Sequence, residues 1–288
     1  MKTLRNFIAG LPAALWIALF LCAPLALIAL TSFFPNVSSQ APEALTPTLH
    51  HYRRALAAPF DAVLWQSLTL SAIATTLCLF VAFPVAWFLA RRPSSSRGFW
   101  MALFLTPFLL NFLVRVYAWF VLLRPEGLIA SLLSHIGINT SLTSSRGAVV
   151  LGLVYCYLPF LVLPLFAVLE KLDTRLLEAA RDLGAGPIDR LRHVVLPHAR
   201  PGIIAGLVLV FVPMMGEYCV PRMLGGGMIS TLGTQIESQF LGSVKPNWPF
   251  GSALSMLLMV FVGAALIVGM RFGARLLEPE NVGAQVKP

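Results

Sequence analysis

Residues 147–169 read GAVVLGLVYCYLPFLVLPLFAVL, an unbroken apolar run, and the chain then turns charged at Glu170-Lys171-Leu172-Asp173. Crossing a hydrocarbon core of roughly 30 Å at about 1.5 Å per helical residue takes about 20 such residues, so this stretch predicts one membrane span. Working outward, comparable runs occupy residues 7–34, 66–90, 99–123, 202–220 and 251–272. None alternates apolar and polar residues with a period of two, which disfavours a barrel; the helix is the other structure that satisfies its own backbone in lipid. The expected fold is therefore all-α, a polytopic transmembrane bundle of about six spans in a single membrane domain. Composition agrees: 58% of the 288 residues are hydrophobic and 11% charged, with a mean hydropathy of +0.81, too apolar for an ordinary soluble domain.

The first run follows Lys2 and Arg5 and so resembles a secretory signal. At about 28 residues it exceeds the usual apolar core of roughly 7 to 15 and is read as a retained anchor. Cys22, Cys78, Cys156 and Cys219 lie inside or at the edges of apolar runs without paired spacing, as structural thiols do. His193 and His198 have no third ligand in reach, so no metal site is expected.

The net charge of +9 is spread over the segments that flank the spans, a pattern of membrane topology and not of nucleic-acid binding. If the N-terminus is inside, the inner segments hold fourteen Lys and Arg residues, six of them between 170 and 200, against five outside. The positive-inside rule thus puts both termini in the cytoplasm. Outside, residues 35–65 have room for a surface helix, and 128–136 form an apolar stretch whose placement stays open. Prolines 24, 84, 107, 159, 164 and 213 fall inside spans, where each removes a backbone donor and favours a kink.

The inner segment after 147–169 carries the most information. From about Thr174 it is helix-forming, and Gly184 and Gly186 stop that helix. Pro187 suits the first turn of a second short helix, which Pro197 is expected to end. Ile188, Leu191, Val194 and Val195 form one apolar stripe on it, suited either to a partner's groove or to the protein's own spans.

Glu178-Ala179-Ala180, then Gly184, then nine residues and Val194-Val195-Leu196-Pro197, resembles the EAA loop of importer-type ATP-binding-cassette permeases. Valine stands at 194 where that pattern usually has isoleucine. The likeness runs from the first span to the last and is strongest to the spermidine/putrescine permeases of the PotB and PotH kind. Leu169-Glu170-Lys171-Leu172-Asp173, Pro201-Gly202-Ile203-Ile204-Ala205-Gly206 and Asn247-Trp248-Pro249-Phe250-Gly251 support it.

The resemblance implies a type I importer permease in the bacterial inner membrane, one half of a translocation pathway. It further implies a second permease of the PotC or PotI kind, a cytoplasmic ATPase dimer and a periplasmic solute-binding protein. ATP and Mg²⁺ would be held by the ATPase, since this chain has no Walker A sequence and no expected cofactor of its own. Glu178, Ala179, Ala180, Asp182, Gly184, Ala185, Pro187, Leu196 and Pro197 would form the coupling surface, with Gly184 permitting a sharp turn.

Ionisable groups inside spans are costly, which singles out Arg115 and Glu217. Counted along their helices, both lie roughly 22 to 24 Å from the cytoplasmic side. Two readings stay open: an ion pair joining the third and fifth spans, or a pathway in which Glu217 attracts a polycation beside the rings of Tyr117, Trp119 and Tyr218. Asn111 suits an interhelical hydrogen bond better than a ligand. Gly225-Gly226-Gly227 lacks a following Lys-Ser/Thr, so it is read as an outer turn. A stand-alone secondary transporter would need more intramembrane charge, and a membrane enzyme would need a catalytic constellation that is not visible. Related permeases for ferric iron, sulfate, thiamine or phosphonate remain the substrate alternatives.

Overall fold

Leucine, valine, alanine and phenylalanine fill the apolar runs, and each run closes its own backbone ladder because lipid offers no partner. The computed structural model describes residues 12, 15–34, 46–135, 142–242 and 246–277, and no strand occurs among them. In chain order the helices are α1 (Leu15–Thr31), α2 (His50–Ala55), α3 (Phe60–Ala90), α4 (Ser94–Leu105), α5 (Phe112–Leu123) and α6 (Leu128–His135). They continue with α7 (Arg146–Leu169), α8 (Thr174–Asp182), α9 (Pro187–Met215), α10 (Cys219–Leu224), α11 (Leu232–Leu241) and α12 (Trp248–Leu277).

Among the described residues, α3, α7, α9 and α12 are long and apolar enough to cross a membrane. A fifth candidate is a bent pair of helices. Helix α4 runs through Pro107 in a tight 3₁₀ turn, Thr106–Leu109, and the chain restarts at Phe112 after a bend of 82°. The third expected span is therefore two pieces; proline and the extended Leu110 prevent one ladder from running through. Helix α1 is the shorter remnant of the first run, whose residues 7–11, 13 and 14 lie outside the described set.

The fifth span departs from expectation at both ends. Pro197 does not end a helix: α9 is continuous from Pro187 to Met215, with a π turn at Leu191–Val195. A proline ring collides with the carbonyl four residues back, here that of His193, and the widened turn around that carbonyl gives it room. The same device precedes Pro24, where Ala18–Cys22 is also a π turn. At its far end α9 stops at Met215, not at residue 220, and α10 begins after Gly216-Glu217-Tyr218.

The chain divides into two compact units. The first comprises Met1–Trp65 and Thr231–Phe261. Its core centres on the wholly buried Phe250, packed with Ala55, Leu232 and Leu254. Asn247 Oδ1 accepts the Phe250 amide at 3.1 Å, and the Arg54 guanidinium lies 4.5 Å over the Phe250 ring. A Cβ on Gly251 would stand 2.9 Å from Gln239 Cβ. These contacts are the physical content of Asn247-Trp248-Pro249-Phe250-Gly251.

The second unit comprises Gln66–Ser230 and Val262–Pro288 and is built on α7 against α9. Close approach there needs small residues: a Cβ on Gly202 would lie 2.9 Å from the Pro164 carbonyl oxygen, and one on Gly206 would lie 3.1 Å from Leu161. Gly202 and Gly206 thus form the small-xxx-small seam used by closely packed membrane helices. Gly152 does the same for α10, where a Cβ would meet Leu224 at 2.4 Å.

Candidate functional site

The charged segment folds as two helices about a glycine turn. Asp173 starts α8, its Oδ1 accepting the Arg175 amide at 2.9 Å. At the other end the Gly184 amide donates to the Arg181 carbonyl and the Ala185 amide to the Ala180 carbonyl, both at 2.9 Å. That reciprocal pair is a Schellman cap, which needs a left-handed residue at its second position; Gly184 has φ +83°. Ala180 and Ala185 supply the two ends of the outer bond. Gly186 then caps α9, Pro187 occupies its first turn, and the Arg190 amide returns to the Gly186 carbonyl at 3.0 Å.

Glu178, Ala179, Asp182, Gly184, Pro187 and Leu196 are exposed; Ala180, Ala185 and Pro197 are half-buried. The α9 stripe is graded: Val195 is buried, Leu191 partly open, and Ile188 is 78% exposed. Beside it Leu183 is 88% exposed. Two apolar side chains at the tip of a capped projection have the form of a docking point. Leu183 escaped the sequence reading because its neighbours, not its own periodicity, place it there. The root of the loop is fixed by Arg97, which pairs with Glu170, and by His198 Nε2, 3.1 Å from the Val168 carbonyl.

The breaks in the third and fifth spans bring the intramembrane charges onto one turn of α7. Arg115 Nη1 donates to the Cys156 carbonyl at 3.5 Å, and its guanidinium lies 5.6 Å from the rings of Phe108 and Phe112. Next along α7, the Tyr157 hydroxyl donates to Glu217 Oε2 at 2.7 Å. Glu217 Oε1 accepts the Cys219 amide at 2.8 Å and the Val220 amide at 3.4 Å, so the carboxylate also caps α10. Tyr157 was absent from the expected set; a phenol inside an apolar run was the available signal, since a buried hydroxyl seeks a partner.

The Asn111 side chain accepts the Leu113 amide at 2.8 Å and so caps α5, the helix that follows the bend. Trp119 packs edge-on against Tyr155 at 5.5 Å, while Tyr117 and Tyr218 stand about half exposed. Gly226 and Gly227 both take positive φ, +58° and +76°, and a Cβ on Gly226 would collide with the Ser144 side chain.

Residues 82–281 match the model of the family described as binding-protein-dependent transport system inner membrane component. The chain belongs to this family. The permease is 37% identical over 277 residues to the spermidine/putrescine transport system permease protein PotB of Haemophilus influenzae, covering 94% of this chain and 96% of that one. It is 38% identical over 266 residues to PotB of Escherichia coli, covering 91% and 95%. Its fold is similar to a chain of a bacterial alginate ABC transporter crystallised with its pentasaccharide-bound periplasmic protein, with a TM-score of 0.75 at 16% identity and 96% of both chains covered. The permease is thus a multi-pass inner-membrane transport subunit of the type I importer fold and not an enzyme.

Proposed function

We propose that this permease forms half of the pathway of an ATP-driven importer for a polyamine, spermidine or putrescine, delivered by a periplasmic binding protein. The observation that carries the reading is the capped projection at 178–197, joined to likeness over nearly the whole length of two PotB proteins. Both termini and the projection face the cytoplasm, as the excess of Lys and Arg there supports. A cytoplasmic ATPase dimer, holding ATP and Mg²⁺, receives the exposed Leu183 and Ile188 in its groove. A second permease completes the pathway.

Because α9 runs unbroken from Pro187 to Met215, a displacement at Ile188 reaches the short Gly216-Glu217-Tyr218 link that carries Glu217. The exposed rings of Tyr117 and Tyr218 lie in the segments adjoining the two breaks and offer faces to ammonium groups. Glu217 adds negative charge there, and Arg115, held against Cys156, restrains the opposite side of that turn.

The test is uptake of labelled spermidine and putrescine by cells lacking other polyamine importers and carrying this permease with its co-purifying ATPase, second permease and binding protein. Saturable uptake competed by polyamines and not by sulfate, phosphonate, thiamine or ferric iron is expected. Binding of an anion and of no polyamine by the binding protein would overturn the substrate. Unchanged affinity and rate in Glu217→Gln would remove Glu217 from the pathway.

A further inference from the structure

Where α3 leaves its apolar run, a cavity of about 450 Å³ opens between α3, α8 and α9. Phe83, Trp87, Leu177 and Val195 form apolar wall, and Arg91 and Arg190 add two guanidinium groups; no carboxylate is among the lining residues. The Arg91 guanidinium stacks 4.5 Å over the Trp87 ring. Arg190 Nε is buried without a hydrogen-bond partner among the described residues. Two cations in an apolar recess are matched by an anion that accepts from guanidinium N–H groups, as phosphate does. A bare phosphate leaves most of this volume empty and its apolar wall uncovered. A phosphate carrying an acyl chain fills both parts.

Arg91 follows Ala90, the last residue of α3, so the cavity lies at the depth where a span passes into headgroups, on the side that carries the charged loop. Basic pockets between helices at that depth suit acidic lipids. We propose that this cavity binds an anionic phospholipid of the leaflet facing the loop, its phosphate between Arg91 and Arg190 and its chain along Phe83, Leu177 and Val195. A zwitterionic headgroup fits poorly, because its ammonium would meet two guanidiniums and no carboxylate. The lipid would touch the span and both helices of the projection together.

The inference rests on the membrane fold and not on the substrate, and its test needs no transport. The assembled transporter is delipidated in detergent, and retention of phosphatidylglycerol is read by native mass spectrometry against phosphatidylcholine and inorganic phosphate. Wild type is expected to retain phosphatidylglycerol about tenfold more tightly than phosphatidylcholine, the value of one charge-assisted contact. The Arg91→Gln, Arg190→Gln double variant should lose about that factor or more. Leu177→Trp, which fills the recess and leaves both arginines in place, should also lose retention. Equal retention of the two lipids, unaltered retention in either variant, or displacement of the lipid by inorganic phosphate would overturn the site.

Discussion

Replacing Gly184 separates the geometry of the turn from everything else the loop does. At φ +83° an L side chain in the left-handed region costs about 1–2 kcal/mol, and nothing within 4 Å of the would-be Cβ adds a clash from the chain itself. Alanine therefore shifts the cap against its alternatives by a factor of roughly 5 to 30, through the bonds from Gly184 to Arg181 and from Ala185 to Ala180. Asparagine tolerates this region better; a β-branched residue tolerates it worst. Polyamine uptake, normalised to inserted permease, should fall in the order Gly, Asn, Ala, Val. Alanine should lose up to that factor and valine all measurable transport, while insertion stays at the wild-type level. Wild-type transport by Gly184→Val would refute the coupling role. Equal loss in Asn and Ala would assign the glycine to a partner's close approach and not to the turn.

Tyr157→Phe removes a hydrogen bond to a charged acceptor and should lower stability by about 1.5–3 kcal/mol, read as the thermal midpoint in detergent; in a cycle with Glu217→Gln the two losses should be strongly non-additive. Gly202→Leu pushes side-chain atoms into the Pro164 carbonyl and should cost about 1–3 kcal/mol, seen as reduced yield of folded permease, whereas a leucine at the open Gly263 should have little effect. Burial holds the His51 imidazole, whose Nε2 lies 3.1 Å from the Phe34 carbonyl, below its ordinary pKa of 6.5; the Phe34 carbonyl partly opposes this, and His50 and Arg54 add to it. The unfolded chain thus takes up a proton more readily. Stability should hold above about pH 6.5 and decline as pH falls below it, and His51→Gln should flatten that slope in thermal scans between pH 5 and 8.

How much was legible in the sequence depended on how local each signal was. Apolar length located the four helices long enough to cross and the bent pair, because lipid imposes that length directly. The glycine turn and the start of α9 at Pro187 were readable, since both are set by backbone rules within a few residues. The continuity of α9 through Pro197 was not: a proline reads as a stop unless a π turn precedes it, and Leu191–Val195 carries no compositional mark of one. The break before Phe112 needed the combination of Pro107, an extended Leu110 and the Asn111 cap, each unremarkable alone. The similar depth counted for Arg115 and Glu217 took each span as one straight helix, and the 82° bend before Phe112 removes that ruler for Arg115. Their attachment to Cys156 and Tyr157 of a third helix is a tertiary fact that no spacing encodes.

The proposal that transport is driven through the tip of the projection is tested most directly by site-specific photocrosslinking from Leu183 and from Ile188 in the membrane-embedded assembly. Both positions should form an adduct with the ATPase subunit, with yields that change between ATP-bound and nucleotide-free states, whereas Leu209, equally apolar and exposed on the membrane part of α9, should form none. Absence of an ATPase adduct from both tip positions, in an assembly that still takes up polyamine, would contradict it.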